Sequence, residues 1–375
     1  MKKMFVSLLA LSMVLVGCGS GGDSKKEEEK KSETAEIVML TDKGTIDDKS
    51  FNQGTYEGVK AYAEKNGKTH TYIKPVDATT DDYNNAIDQA VKKGAKIIVT
   101  PGYLFEPSIY VKQKEYPDVK FILIDGYPND GDQKAPKSET TKNTIGIKFQ
   151  EEQSGYLAGY AAVKDGNTKL GFMGGMAVPA VQSFGYGYVQ GANDAAKELG
   201  ITVSMKYHYT GDFEANPKNQ GTATAWYKDG TQVIFGCGGA VGNSVMAAAK
   251  VAKPVGKVIG VDVDQASESE TVISSAYKQL SIAVSDALDS IYNGSFDKID
   301  DKTVTFRGGQ NIVLGAQHNA IGLPMKTSKF SKFTADDYDK VYKTIVDKKV
   351  TIKNFQATTD VTKLGASNVK IEFVK

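Results

Sequence analysis

Three aspartates each stand at the end of a short apolar run that is typical of a buried strand. Asp42 ends VMLTD, Asp125 ends FILID and Asp262 ends VIGVD, and Gly102 and Gly239 end two further runs. In an open α/β sheet the carboxyl ends of the strands gather at one edge, and ligands bind there. Since carboxylates accept hydrogen bonds, the pattern predicts a site for a ligand that carries hydrogen-bond donors.

The connection after the first of these runs is dense in polar side chains. MLTDKGTIDDKSFNQG (residues 39–54) holds three aspartates, a serine and an asparagine just before a helix-like segment. We interpret it as the wall of a cleft in which the carboxylates and Asn52 offer hydrogen bonds and Phe51 offers a flat face. Asp47, Asp48 and Ser50 are also candidates to cap the helix that starts near Phe51, and for Ser50 we favour capping.

Strand-like runs and helix-like segments alternate along most of the chain, which predicts βαβ units and doubly wound parallel sheets. Helix stops at Gly67 and Gly94 separate the first of these units. The runs lie at residues 37–42, 69–77, 95–102, 119–126, 169–175, 201–211, 231–239 and 255–262.

The alternation is interrupted once, by a polar insertion at residues 128–143, and restarts near residue 150. A chain of 375 residues is too long for one ordinary core and fits two lobes of about 150 residues each. We therefore expect an α/β fold with two doubly wound lobes. We assign residues 36–148 and about 265–308 to the first lobe, and 149–264 and about 309–375 to the second.

The composition excludes several classes of protein. The formal net charge is +1, with 46 basic and 45 acidic side chains. The chain therefore lacks the excess of basic side chains that is typical of proteins that bind nucleic acid. Of the two cysteines, Cys237 lies in the apolar run VIFGCGG and is interpreted as a small buried side chain.

The N-terminus is interpreted as a targeting segment. Two lysines precede an apolar stretch at residues 4–16 that is too short to span a bilayer, and LVGC follows it. This arrangement resembles the bacterial lipobox, which implies that residues 1–17 are a signal peptide and that Cys18 carries a diacylglycerol. Two acyl chains give stable anchoring. The rest of residues 18–35 has no core-forming side chains and is expected to be a disordered tether.

Eight motifs in order resemble the basic membrane protein family of lipoproteins, of the purine nucleoside receptor type. They are TDKGTIDDKSFNQG, FILIDG, LGFMGGM, GYGYVQG, YTGDF, GCGGAVGNSV, GVDVDQ and SSAYK, and they span about residues 36–325. The resemblance implies a type I periplasmic-binding-protein fold, with two lobes joined by a hinge of three crossings.

The resemblance also implies roles for individual residues. Phe51 and Phe213 are similar to the two aromatics that sandwich a purine ring. Polar contacts to the base or the sugar are implied for Asp42, Asn52 and Asp125, and a backbone approach for Gly239. Asp262 and Lys278 resemble the residues that hold the ribose hydroxyls.

The function implied is that of a lipid-anchored binding protein on the extracytoplasmic face of the cell membrane. It would capture purine nucleosides (adenosine, guanosine or inosine) and deliver them to the permease and ATPase subunits of an ABC importer. We expect a monomer that is not an enzyme and that needs no cofactor and no metal.

Two alternatives use the same residues differently. A sugar-binding or sensory lipoprotein of the same fold would also use an aromatic sandwich. A dinucleotide-dependent enzyme would use Gly236, Gly238 and Gly242 with Asp262 at the end of the next strand. The three histidines are scattered, and no catalytic set accompanies these glycines, which favours binding over catalysis.

Overall fold

The computed structural model describes residues 35–132, 134–358 and 360–374. Its strands, in chain order, are β1 (Ile37–Leu40), β2 (His70–Ile73), β3 (Ile97–Pro101), β4 (Lys120–Ile124), β5 (Thr144–Phe149), β6 (Lys169–Gly174), β7 (Val203–Tyr209), β8 (Val233–Cys237), β9 (Lys257–Asp262), β10 (Val272–Lys278), β11 (Gln310–Leu314), β12 (Ile321–Gly322) and β13 (Val369–Phe373). Its α-helices are α1 (Phe51–Lys65), α2 (Thr80–Lys92), α3 (Glu106–Glu115), α4 (Glu151–Lys164), α5 (Pro179–Leu199), α6 (Pro217–Lys228), α7 (Val241–Val251), α8 (Leu280–Tyr292) and α9 (Ala335–Val346).

Two sheets form the centres of two lobes, as the alternation of strands and helices predicts. The first sheet has six strands in the order β11-β5-β4-β3-β1-β2, and the second has seven in the order β12-β10-β9-β8-β6-β7-β13. All pairings are parallel except that of β10 with β12, which is antiparallel. The central strands are buried on both faces, as expected of parallel strands covered by helices.

The chain crosses between the lobes three times. It leaves the first lobe after β5, returns after β10 and leaves again after β11. Because α4 and α8 each begin directly after a crossing, α4 packs on α5 in the second lobe and α8 packs on α1 in the first. The hinge of three crossings implied by the resemblance is therefore present.

Two lobe boundaries expected from the sequence are wrong. The crossing expected near residue 265 comes after β10, because Val272–Lys278 pairs with β9 in the second sheet. The return expected near residue 309 comes after β11, because Gln310–Leu314 pairs with β5 in the first sheet. Residues 263–271 instead join two neighbouring strands of the second sheet.

Helix α5 has sequence signals for both its start and its end, and its first residues line the space between the lobes. It begins with Pro179, whose fixed φ suits the first helical position, and ends at Gly200, which has a left-handed φ of 67°. It packs unusually close to α4, since a Cβ atom at Gly159 would lie 2.0 Å from the carbonyl oxygen of Tyr188. This contact fixes the N-terminal ends of both helices near the hinge.

Candidate functional site

A cavity lies between the two lobes, at the carboxyl ends of their strands. It encloses about 690 Å³ of atom-free space, part of which is open solvent at its mouth. All the ligand-binding residues predicted from the sequence line it: Asp42, Phe51, Asn52 and Asp125 from the first lobe, and Phe213, Gly239, Asp262 and Lys278 from the second.

Asn52 holds the first loop of the cavity in shape. Its Nδ2 atom donates to Asp42 Oδ1 at 2.8 Å and to Asp48 Oδ2 at 2.9 Å, and its Oδ1 atom accepts from the backbone nitrogen of Asp42 at 3.1 Å. The residue is 2% exposed. Since each polar atom of the Asn52 amide already has a partner inside the loop, the structure gives this side chain the task of orienting Asp42.

Asp42 presents one carboxylate oxygen to the cavity. Its Oδ1 atom accepts from Asn52 and from the backbone nitrogen of Gly44 at 2.7 Å, whereas its Oδ2 atom faces the space beside Gly102. Burial raises the pKa of Asp42 from 3.8 to about 6, although the hydrogen bonds from Gly44 and Asn52 oppose this shift. At neutral pH the carboxylate is therefore mostly ionised, and Oδ2 is available to accept a hydrogen bond.

The cap of helix α1 differs from the one expected. Ser50 occupies the N-cap position, but its side chain makes no capping hydrogen bond. Asp48 accepts instead from the backbone nitrogens of Ser50, Asn52 and Gln53, at 2.8, 3.0 and 3.1 Å. Ser50 Oγ is thereby free to donate across the cleft to Asp262 Oδ2 at 2.5 Å, so the predicted capping role of Ser50 is wrong.

Asp125 and Asp262 occupy equivalent positions in the two lobes. Asp125 follows β4 and Asp262 ends β9, and each strand is a neighbour of the strand from which the chain crosses to the other lobe. Both residues have left-handed backbones, with φ values of 58° and 66°. This conformation turns the chain sharply at the strand end and directs both carboxylates into the space between the lobes.

Lys278 joins these carboxylates into one buried cluster. Its Nζ atom donates to Asp125 Oδ2 and lies 3.4 Å from Glu151 Oε1 and 3.6 Å from Asp262 Oδ1. The Lys278 side chain is 1% exposed. Burial alone would lower the pKa of Lys278, but the three carboxylates outweigh it and hold the pKa above its ordinary value, so the ammonium stays charged.

One oxygen of this cluster is left without a partner. The Asp125 side chain is 8% exposed, and among the residues that the structure describes its Oδ1 atom has no hydrogen-bond partner. A buried carboxylate oxygen without a donor is costly. The atom belongs to a cavity-lining residue, so a ligand hydroxyl or amine is well placed to satisfy it.

Glu151 is the member of the cluster that the sequence analysis missed. It is the first residue of α4, directly after the first crossing, and its side chain is 8% exposed. Burial raises the pKa of Glu151 to about 8, against the lowering effect of Lys278. The only sequence feature that pointed to Glu151 is a pair of acidic residues at the start of a helix rich in glycine and alanine. Such a pair is also common at helix starts that are exposed to solvent.

The two predicted aromatic rings have different supports. Lys278 Nζ lies 4.6 Å from the centroid of the Phe51 ring, so an ammonium backs that ring. Phe213 lies on a floor of glycines, since a Cβ atom at Gly175 would be only 2.4 Å from Phe213 Cδ1. Its backbone oxygen accepts from Ala240 at 2.9 Å, which ties the Phe213 loop to the strand end at Gly239.

Cys18 and the expected signal peptide and tether lie outside the described residues. Within residues 35–132, 134–358 and 360–374, no helix is both long and apolar enough to cross a membrane. Cys237 is buried, as predicted from its apolar run, and lines the cavity.

Comparisons with known proteins agree with this geometry. The model of the Bmp family, described as ABC transporter substrate-binding protein PnrA-like, matches residues 35–356. Basic membrane protein A of Borreliella burgdorferi is 29% identical over 358 residues, covering 94% of this chain and 96% of the relative. The ABC transporter nucleoside-binding protein BmpA of Lactococcus lactis is 27% identical over 379 residues, covering 94% and 99%.

A solved structure supports the same fold. An ABC transporter solute-binding protein of Aeropyrum pernix K1 superposes with a TM-score of 0.66 at 22% identity, covering 88% of this chain and 89% of that chain. Together with the two sheets and three crossings, this identifies the type I periplasmic-binding-protein fold.

Proposed function

Because this chain belongs to the Bmp family of PnrA-like ABC transporter substrate-binding proteins, we propose that it captures purine nucleosides between its lobes and delivers them to an ABC importer. The ligands are nucleosides such as adenosine, guanosine and inosine. The partners are the permease and ATPase subunits of the transporter. The relative from Lactococcus lactis is named as a nucleoside-binding protein, which supports this choice of ligand.

The observation that carries the proposal is the buried carboxylate cluster beside an aromatic ring. A purine nucleoside is an uncharged flat ring joined to a sugar with vicinal hydroxyls. Asp125 Oδ1 lacks a donor among the described residues, and Asp262 and Lys278 lie in the same cluster. In the proposal these three side chains hold the ribose hydroxyls, since hydroxyls can donate to carboxylates and accept from an ammonium.

The purine ring lies between Phe51 and Phe213 in this proposal. Asp42 Oδ2 accepts from the edge of the base, while Asn52 keeps Asp42 in place and Gly239 allows the backbone to approach the ring. The energies are sufficient: stacking contributes about 1–3 kcal/mol per ring, and hydrogen bonds to charged groups contribute roughly 1.5–3 kcal/mol each. Micromolar affinity needs only about 8 kcal/mol net of association costs.

The protein acts as a carrier and not as an enzyme in this proposal. The carboxylates and the ammonium of the cavity are paired with each other. In the proposal, a bound ligand favours the closed arrangement of the two lobes, and the permease recognises that arrangement. We propose that the chain works as a monomer without a cofactor.

A thermal-shift screen of the purified protein tests the ligand class. Guanosine, inosine and adenosine should each raise the unfolding temperature, since a ligand at 100 times its Kd adds about 2.7 kcal/mol of stability. Arabinose, galactose and free ribose are the competing sugars. Shifts with sugars and none with nucleosides would replace this proposal by a sugar-binding function, and reduction of NAD by the protein would point to the enzyme.

The lipid anchor is tested separately. We propose that Cys18 carries the lipid and holds the protein on the extracytoplasmic face of the cell membrane. Cells fed a labelled fatty acid should incorporate the label into the protein, and Cys18→Ser should abolish the label and release the protein from the membrane fraction. Equal labelling of Cys18→Ser would contradict the anchor without affecting the ligand proposal.

A further inference from the structure

Gln265 joins the two lobes although it does not line the cavity. Its side chain is anchored in the second lobe, where Oε1 accepts from the backbone nitrogen of Val261 at 3.0 Å and its backbone nitrogen donates to Ser275 Oγ at 3.0 Å. Its Nε2 atom reaches into the first lobe and donates to the carbonyl oxygen of Lys49 at 2.7 Å. The residue is 1% exposed.

The orientation of this amide is fixed by its two partners. A backbone nitrogen can only donate, so the amide oxygen must face Val261, and a carbonyl oxygen can only accept, so the amide nitrogen must face Lys49. Among the standard side chains glutamine alone combines this length with a neutral donor and acceptor. The contact between the lobes therefore depends on the chemistry of Gln265 and not only on its volume.

A second hydrogen bond joins the neighbouring residues. Val261 precedes Asp262 in the chain, and Lys49 precedes Ser50, whose Oγ atom donates to Asp262 Oδ2 at 2.5 Å. The two bonds form a closed ring that connects the end of β9 to the turn at residues 49–50. We call these four groups the clasp: the Gln265 amide, the Lys49 carbonyl, the Ser50 hydroxyl and the Asp262 carboxylate.

Both halves of the clasp hold an unfavourable backbone conformation. Lys49 and Asp262 have φ values of 61° and 66°, and neither is a glycine. The left-handed region is less favourable than the right-handed or extended regions for a residue with a side chain, so surrounding contacts help to hold it in place. Such contacts come from the opposite lobe in both cases, which means that each lobe stabilises the conformation of the other.

We propose that Gln265 is a positioning residue that clasps the first lobe to the second and thereby fixes Asp262 for the ligand. Asp262 then has its working orientation only while the lobes are together. The clasp must break before the lobes part, so it slows the release of bound ligand. The role of Asp262 rests on the proposed function, but the contact between the lobes does not.

The test compares Gln265→Met with a control at the same interface. Methionine keeps the length and burial of the side chain but cannot donate to Lys49. Glu268→Gln is the control, because it removes only the exposed ion pair between Lys49 and Glu268, whose charged atoms are 3.8 Å apart. Ser50→Ala is the second variant, which breaks the other bond of the clasp and leaves Val261 paired.

Amide hydrogen exchange of the ligand-free protein tests the clasp without any ligand. Loss of one hydrogen bond should speed exchange in residues 45–53 by about threefold to tenfold in Gln265→Met and in Ser50→Ala, because that loop loses its support. Glu268→Gln should exchange like the wild type. If all three variants exchange like the wild type, the clasp is wrong, whether or not guanosine binds.

Stopped-flow binding of guanosine separates positioning from general damage. Gln265→Met and Ser50→Ala should release guanosine about threefold to tenfold faster than the wild type. Slower association with unchanged release would overturn the proposal. If the wild type itself fails to bind guanosine, the proposed function fails, and the exchange experiment still decides the clasp.

Discussion

The two walls of the cavity are built from opposite kinds of residue. The first lobe presents Asp42, Asp48, Asn52 and Asp125, whereas the second presents mostly apolar side chains and glycines around Phe213. The charged residues of the second wall, Asp262 and Lys278, both stand at strand ends near the hinge. Hydrogen-bonding side chains therefore predominate on the first wall, and apolar contact area predominates on the second.

The largest expected effect comes from removing the ammonium that the acidic groups share. Lys278→Met leaves the Asp125 and Asp262 carboxylates without a cation, beside Glu151, whose pKa of about 8 keeps it mostly protonated at pH 7. We expect a loss of about 3–5 kcal/mol in the free energy of unfolding, because breaking a buried ion pair strands the remaining charges. Urea unfolding at pH 7 measures it.

The control for this prediction is an exposed pair. Lys343→Met removes the Lys343–Asp347 contact on the surface of α9, at 3.1 Å, and should leave the free energy of unfolding nearly unchanged, because the pair is exposed to solvent. If the two lysine variants lost similar amounts of stability, the buried cluster would not be the electrostatic centre of the cavity.

Asp262→Asn tests whether the charge on the second wall acts on the ligand or on the fold. Asparagine tolerates the left-handed backbone and can still accept from Ser50, but its amide nitrogen cannot pair with Lys278, so we expect the free energy of unfolding to fall only modestly. Guanosine affinity should drop by about tenfold or more, because hydrogen bonds to charged groups contribute roughly 1.5–3 kcal/mol. Calorimetric titration gives the affinity, and unchanged binding would remove Asp262 from the ribose contacts.

The aromatic rings test the contrast between the walls most directly. Phe51→Ala and Phe213→Ala should each weaken guanosine binding by more than about tenfold, since stacking contributes about 1–3 kcal/mol per ring. Phe213→Ala should have the larger effect, because its glycine floor leaves nothing to replace the ring. Phe373→Ala, at an exposed strand position, is the control and should bind normally. Equal affinities for all three variants would contradict the sandwich.

The smallest expected effect is a gain in stability, and it comes from removing the charge of Asp42 on the first wall. The pKa of Asp42 is raised from 3.8 to about 6, so between these values the folded protein keeps a proton that the unfolded chain has released. This group therefore lowers stability as pH rises from about 4 to 6. Asp42→Asn removes that loss and should stabilise the protein by roughly 1–3 kcal/mol at pH 7, and by little at pH 4.

Urea unfolding across this pH range measures the difference between Asp42→Asn and the wild type. Guanosine affinity should fall in the same variant, since the ionised acceptor at the base edge is lost. A difference in stability that stays constant from pH 4 to 7 would show that Asp42 is not buried as the structure places it.

The sequence predicts much of this site because strand ends are easy to recognise. VMLTD, FILID and VIGVD end in carboxylates, and parallel strands bring such ends together in any doubly wound sheet. Gly239 carries the same strand-end signal, but Phe213 and Lys278 do not. The role of these two residues is implied only by the order of motifs across the chain, and both line the cavity.

The features that the sequence did not predict are contacts between residues distant in the chain. Glu151 has the pattern of a helix start and Ser50 that of a helix cap, but the fold brings Lys278 against Glu151 and Asp262 against Ser50. The lobe boundary near residue 265 failed for a related reason, since VISSAYK can pair with either sheet by its pattern alone. The sheet that β10 joins is decided by its pairing with β9, which precedes it in the chain, and with β12, which follows only after the chain has passed through the first lobe.

Lys278 is the last residue of β10, and the second crossing between the lobes follows it immediately. The side chain at the centre of the acidic cluster is thus attached almost at the pivot. Strands β2 and β7 lie far from that pivot in their sheets. If one lobe rotates about the crossings, a small displacement of the ammonium therefore corresponds to a larger displacement of β2 and β7.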